Sequence, residues 1–181
     1  MQESKGVAPG SSAPAHPRLP TAEDEAYDIR IARDGTWYYQ GGPIGRIGLV
    51  KLFSTVLRRD DAGDYWLITP AERGRITVED APFIAVGLEV AGEGRDQVLT
   101  FRTNLDHEVQ AGPDHPIRVE TDPVTQEPSP YILVRDKLEA RINRAVFYEL
   151  VERGELRASG ERTEVGIWSQ GTFFPLGRTD G

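Results

Sequence analysis

The chain has no cysteine in its 181 residues. Disulfides, thiolate-bound metals, iron–sulfur clusters and cysteine nucleophiles are excluded together. Long apolar runs are missing as well. Nothing approaches the roughly 18 residues of a membrane-crossing helix, and the first residues lack the apolar segment of a signal peptide. A cytoplasmic protein with no membrane partner is the expectation. Positive charge is in the minority, with 21 Lys and Arg against 29 Asp and Glu and a formal net charge of −8. A general nucleic-acid binder presents an excess of cations to the phosphates, so nucleic acid is not an expected partner. Residues 1–22 are mostly Pro, Gly, Ser and Ala, with almost no large apolar side chain. Such a segment cannot offset its ordering entropy and is expected to be a flexible tail.

Familiar catalytic motifs are absent too. Serines are few, and none lies in a G-x-S-x-G elbow. There is no G-x-G-x-x-G or P-loop, and no H-x-H or H-x-x-x-H spacing.

What is present centres on residues 28–59. Ile29 and Ile31 alternate with Asp28 and Arg30, the period of a strand with one buried face. Asp34-Gly35 supplies a tight turn, and Thr36–Tyr39 suits a second strand. Gly41-Gly42-Pro43 stops that strand, with Pro43 placed to open a helix. From Arg46 onward Ile47, Val50, Leu52, Phe53, Val56 and Leu57 form a broad apolar helical face, closed by residues 60–63.

Further strands are expected over 64–69, 74–80, 83–90, 97–103, 108–110, 117–120 and 131–135, with a proline-rich loop over 122–130. Asp136 and Glu139 read as a capping box. The helix it opens would carry Leu138, Ile142, Val146 and Leu150 and end at Gly154. Residues 164–169 and 172–176 read as a closing hairpin. The hairpin 34–41 is echoed by 170–177, and Arg46–Phe53 by Arg144–Val151, which places Arg46 and Arg144 at matched positions. The expected fold is α+β and mostly antiparallel β, with two main helices and a strand–helix motif duplicated in two lobes. The boundaries are a tail at 1–22, an N-terminal lobe at 23–82 and a C-terminal lobe at 83–181.

Together the segments DGTWYYQGGPIGR, LVKLFS, YWLITP, DAPF, HPIRVE, PYILVR and INRAVFYELV resemble an uncharacterised bacterial family, the domain of unknown function numbered 1285. The resemblance spans nearly everything after the tail. It implies a mostly β, α+β fold of two lobes in a cytoplasmic bacterial protein. It implies no reaction. A signalling role suggested for the family rests on fold analogy, and function does not follow from fold.

Two site hypotheses follow from the residues. Asp106, His107 and His115 can form an acid–base pair or ligate a divalent metal. Against this, Asn and Asp in such stretches are ordinary turn formers, and no metal site is assigned. The Gly42–Gly45–Arg46 corner can offer backbone amides and a guanidinium to an anion, with Arg144 as its echo. Against this, a sharp strand-to-helix turn also calls for glycine. Aromatics among Trp37, Tyr38, Tyr39, Phe173 and Phe174 offer a surface for a partner or a homo-oligomer, although hairpin aromatics also form cores. The preferred reading is a regulatory module in signal transduction that binds a small ligand or a protein partner, with no cofactor. The alternative is a small enzyme, metal-dependent or not, using the His107/His115 region.

Overall fold

A computed structural model describes residues 25–179. The expected tail over 1–22 lies outside the described residues. The first sheet contains β1 (Glu25–Ile31), β2 (Trp37–Tyr39), β3 (Gly42–Pro43), β4 (Leu57–Arg59), β5 (Tyr65–Ile68) and β6 (Arg73–Val78), with α1 (Ile47–Thr55) between β3 and β4. Its strand order is β3-β2-β1-β6-β5-β4. Only the central β1–β6 pair is parallel; the others are antiparallel. The turn into β2 forms as its residues dictate: Gly35 has φ of 91°, and the Asp34 carboxylate accepts from the Thr36 amide at 3.0 Å.

The second sheet contains β7 (Phe83–Ala91), β8 (Val98–Thr103), β9 (Glu108–Gln110), β10 (Ile117–Thr121), β11 (Pro128–Arg135) and β12 (Leu138–Ile142). Its order is β10-β11-β12-β7-β8-β9, again with one parallel pair at the centre, β12 on β7. Then come α2 (Arg144–Arg153), β13 (Glu155–Ser159), β14 (Arg162–Ser169) and β15 (Thr172–Thr179), the three strands forming a smaller antiparallel sheet. Three strands, a helix and three strands thus occur twice, once around α1 and once around α2. The aromatic hairpin precedes α1 and its echo follows α2. The fold is α+β and mostly antiparallel, with two α-helices among the described residues and a duplicated strand–helix motif.

One core runs through both sheets. Trp37, Leu57, Phe83, Phe101, Leu138 and Leu150 are each at most 1% exposed, and burying a side chain of that kind stabilises by about 1.5–3 kcal/mol.

The second helix begins later than the capping-box reading placed it. Asp136-Lys137 is a two-residue turn, with Asp136 at φ of 50°, and Leu138–Ile142 is strand. Leu138, Ala140 and Ile142 are buried while Glu139 and Arg141 are less so. A period of two and an i, i+4 stripe share Leu138 and Ile142, and the sheet took them. The true N-cap is Asn143, whose side chain accepts from the Val146 amide at 2.9 Å. The first helix also departs from expectation. Pro43 pairs with Tyr38 in β3, Leu57 belongs to β4, and Ile47 and Leu52 are 56% and 62% exposed. Residues 60–63 turn β4 into β5 rather than closing the helix. The 122–130 loop is shorter than expected, because β11 absorbs Pro128 and Pro130. β13 was not foreseen: all five residues are exposed, so no alternation marks it.

Candidate functional site

The glycine corner and α1 form one wall of a cleft of about 820 Å³. Gln40 and Gly41 turn the chain with φ of 50° and 83°. The Ile44 amide then donates back to the Trp37 carbonyl at 2.8 Å, which folds the corner over the sheet. Arg46 follows in extended conformation as the N-cap of α1. Its side chain makes no capping bond, and its carbonyl accepts from the Leu49 and Val50 amides.

β1, β5, α1 and the C-cap of α1 at Val56 bring Tyr27, Ile29, Phe53, Val56 and Leu67 to the interior of this cleft, where all five are buried or half-buried. Asp28, Gln40, Arg46, Thr69 and Glu72 also line it and are all exposed. The interior is therefore apolar and the rim mixed, since the exposed Ala26, Tyr39, Pro43 and Leu49 line it as well. Behind Phe53 stacks the Trp37 indole, with centroids 6.3 Å apart. The Trp37 Nε1–H is buried and has no acceptor among the described residues.

Gly42 and Gly45 line the cleft, yet neither is demanded by the backbone or by packing. A Cβ on Gly45 would meet nothing within 4 Å, and one on Gly42 only the Tyr39 carbonyl at 3.8 Å. The steric reason for glycine at this corner holds at Gly41 and stops there.

α1 also faces the second sheet. Val50 and Ser54 are buried, Lys51 pairs with Asp106 at 2.8 Å, and Arg135 donates to the Ser54 carbonyl. Asp106 therefore has a cation on it already. The hydrogen bond and charge of Lys51 hold its carboxyl below the usual range.

The histidines have different neighbours. His107 sits edge-on to Phe83 with centroids 5.5 Å apart, and burial, then the charges of Arg135 and Lys51, push its imidazole below the ordinary value. His115 Nδ1 lies 3.0 Å from the Leu133 carbonyl on β11. Among the described residues, no three His, Asp or Glu side chains converge as a metal site. Arg144 does not join Arg46; it lines a separate cavity of about 470 Å³. Of the hairpin aromatics, Trp37 and Phe174 are core, and Tyr39 is 52% exposed.

Comparison with known proteins then places the chain. The "Domain of unknown function (DUF1285), N-terminal domain" matches residues 13–81, and the "Protein of unknown function (DUF1285), C-terminal domain" matches residues 82–176. The chain belongs to the DUF1285 family. A DUF1285 family protein from Silicibacter pomeroyi DSS-3, solved at 2.50 Å, is 47% identical with a TM-score of 0.81, covering 94% of this chain and 91% of that one. Another from Shewanella baltica OS155, solved at 1.40 Å, is 27% identical with a TM-score of 0.54, covering 70% of this chain and 92% of that one. No curated protein matches the chain. No helix among the described residues is long and apolar enough to cross a membrane.

In this DUF1285 chain, Gly42, Gly45 and Arg46, singled out from sequence as a candidate anion corner, line the cleft, whereas Tyr27, Phe53, Val56 and Leu67 were not singled out as site residues. Each belongs to a strand or helix pattern that reads as core, and only the assembled sheet shows that they face a gap.

Proposed function

We propose that the protein is a non-enzymatic regulatory module of the cytoplasm whose α1 cleft binds a small organic acid with an apolar body. The observation that carries this is the cleft itself, about 820 Å³, with its apolar interior, partly polar rim and one arginine. Small-molecule sites have that size and that distribution of polarity. Arg46 has no ion pair among the described residues, so its planar fork is open to a carboxylate. Gly42 and Gly45 fit the same reading, since glycine lets a ligand approach the backbone closely.

Regulation follows from the position of α1, between the cleft on one side and the second sheet on the other. A ligand that moves Phe53 and Val56 also acts on Val50, Lys51 and Ser54 one turn away. The catalytic alternative has less support, because the His107 and His115 rings are engaged by Phe83 and by the Leu133 carbonyl.

The test is a thermal-shift series of straight-chain carboxylates and their matching alcohols. At about a hundred times its Kd, a ligand adds roughly 2.7 kcal/mol, or some 5–10 °C here. Octanoate is expected to raise Tm more than octanol, and Arg46→Gln to remove the difference between them. Val56→Trp, which fills the cleft, is expected to abolish both shifts. Silence across the series would refute a small-acid site here and turn the search to a protein partner.

A further inference from the structure

The second cavity repeats the arrangement of the first at the other helix. Ile44, Gly45, Arg46 and Leu49 line the cleft at α1. Ile142, Asn143, Arg144 and Phe147, their counterparts by the matched spacing, line the cavity of about 470 Å³ at α2. The turn between β1 and β2 closes this second cavity, contributing Arg33 and Asp34. It therefore lies between the two repeats.

Three arginines and three carboxylates reach the cavity: Arg33, Arg141, Arg144, Asp34, Asp80 and Glu127. The formal charges cancel, but the groups are not equally committed. Asp34 is held by the Thr36 amide. Asp80 accepts from the Tyr131 hydroxyl at 2.6 Å and from Arg141 at 3.0 Å. Arg33 and Arg144, by contrast, come no closer to a carboxylate than 4.0 and 3.9 Å, and their side chains are 71% and 75% exposed. Those distances are beyond hydrogen bonding. Among the described residues, neither side chain donates a hydrogen bond. Two guanidinium forks, held only by long ion pairs to Asp80 and Glu127, thus stand at one cavity, whose walls include Ile84, Pro128, Pro130 and Phe147.

We propose that this cavity is a second binding site, for a compact dicarboxylic acid. Its apolar body packs on Pro128, Pro130 and Phe147 while its two carboxylates engage Arg33 and Arg144. The guanidinium fork takes a carboxylate bidentately, and the volume suits a ligand of that size. Because Arg33 and Arg144 belong to different repeats, one ligand would tie the two together. The proposal stands whether or not the first cleft binds an acid.

The experiment is calorimetric titration of the full chain with glutarate, phthalate and isophthalate, and with benzoate as the mono-acid reference. At least one diacid is expected to bind saturably at one site, with benzoate about tenfold or more weaker. Arg33→Gln and Arg144→Gln are each expected to weaken binding by about tenfold or more, the scale of a lost charge-assisted hydrogen bond. Both side chains are exposed, and each makes only one long surface ion pair, Arg33 with Asp80 and Arg144 with Glu127, so Tm should change little. Arg144→Lys keeps the charge without the fork, and is expected to lose affinity with the fold intact. Absence of saturable binding by every diacid would overturn the proposal. So would affinity that survives Arg33→Gln and Arg144→Gln, or affinity removed by Arg46→Gln, which would place the ligand in the other cleft.

Discussion

Gly74 on β6 is the position where one added methyl group tells most. A Cβ there would come within 2.3, 2.4 and 2.5 Å of three ring carbons of Tyr27 on β1. Ordinary contact begins near 3.4 Å, so the ring or the strand has to yield by about an ångström. Overpacking of this kind costs about 1–3 kcal/mol. For a chain of this length each kcal/mol lowers Tm by roughly 2–4 °C, so Gly74→Ala is expected to lose roughly 2–12 °C. Tyr27 also lines the cleft, so the same substitution should weaken octanoate binding. The control is Gly45→Ala, where the added carbon meets nothing within 4 Å. It should leave stability unchanged or raise it by about 0.4–1 kcal/mol through the unfolded chain. Thermal melts followed by circular dichroism read both. A Gly74→Ala midpoint within about 1 °C of the parent would show that Tyr27 does not pack on Gly74, and the floor of the cleft would have to be redrawn.

Other consequences can be checked in the same assays. His107 has a folded-state pKa below its ordinary value of 6.5, so the unfolded chain binds the extra proton. Its contribution is fully present above about pH 6.5 and is lost as pH falls toward the lower folded value; His107→Gln should flatten the decline that sets in below about pH 6.5. Glu79 is held below its ordinary 4.5 by the Arg33 amide and then by Arg30. Stability should therefore fall again below about pH 4.5, and less so in Glu79→Gln, as melts across pH would show. Asn143→Ala removes the cap of α2 and should cost about 1 kcal/mol in urea unfolding. Asp80→Asn leaves Tyr131 and Arg141 without their shared carboxylate. It should cost about 1–3 kcal/mol, and a cycle with Arg141→Met should show coupling rather than additivity.

Much of this fold was legible wherever the local pattern and the tertiary demand agreed. The turns at Asp34-Gly35 and Gln170-Gly171 appear where the sequence places them, as do the strands flanking residues 91–97. Segments that satisfy two periods at once were not legible. Leu138 and Ile142 fit either a helix stripe or a strand face, and the parallel partner β7 decided for the strand. Nor could the sequence show that Ile47 and Leu52 stay exposed, because that depends on which side of α1 each sheet approaches. At the candidate site the glycines and Arg46 announced themselves by residue type. The apolar interior did not, since a side chain facing a gap looks the same in sequence as one facing a neighbour. The match between Arg46 and Arg144 was visible, but that each lines a cavity of its own was not.

The parallel pairs at the centre of the two sheets bear on how the chain reaches its native state. β1 must find β6 across α1 and two hairpins, and β7 must find β12 across four intervening strands. The hairpins on either side can zip locally, but each sheet stays in halves until its first and last strands meet. Closing such a loop is paid in chain entropy before any contact returns it, and folding slows as contacts become more distant in sequence. The central pairing is therefore the slow step of each sheet. Until it happens, four half-sheets expose open strand edges, and those are the species most prone to pair with the wrong chain.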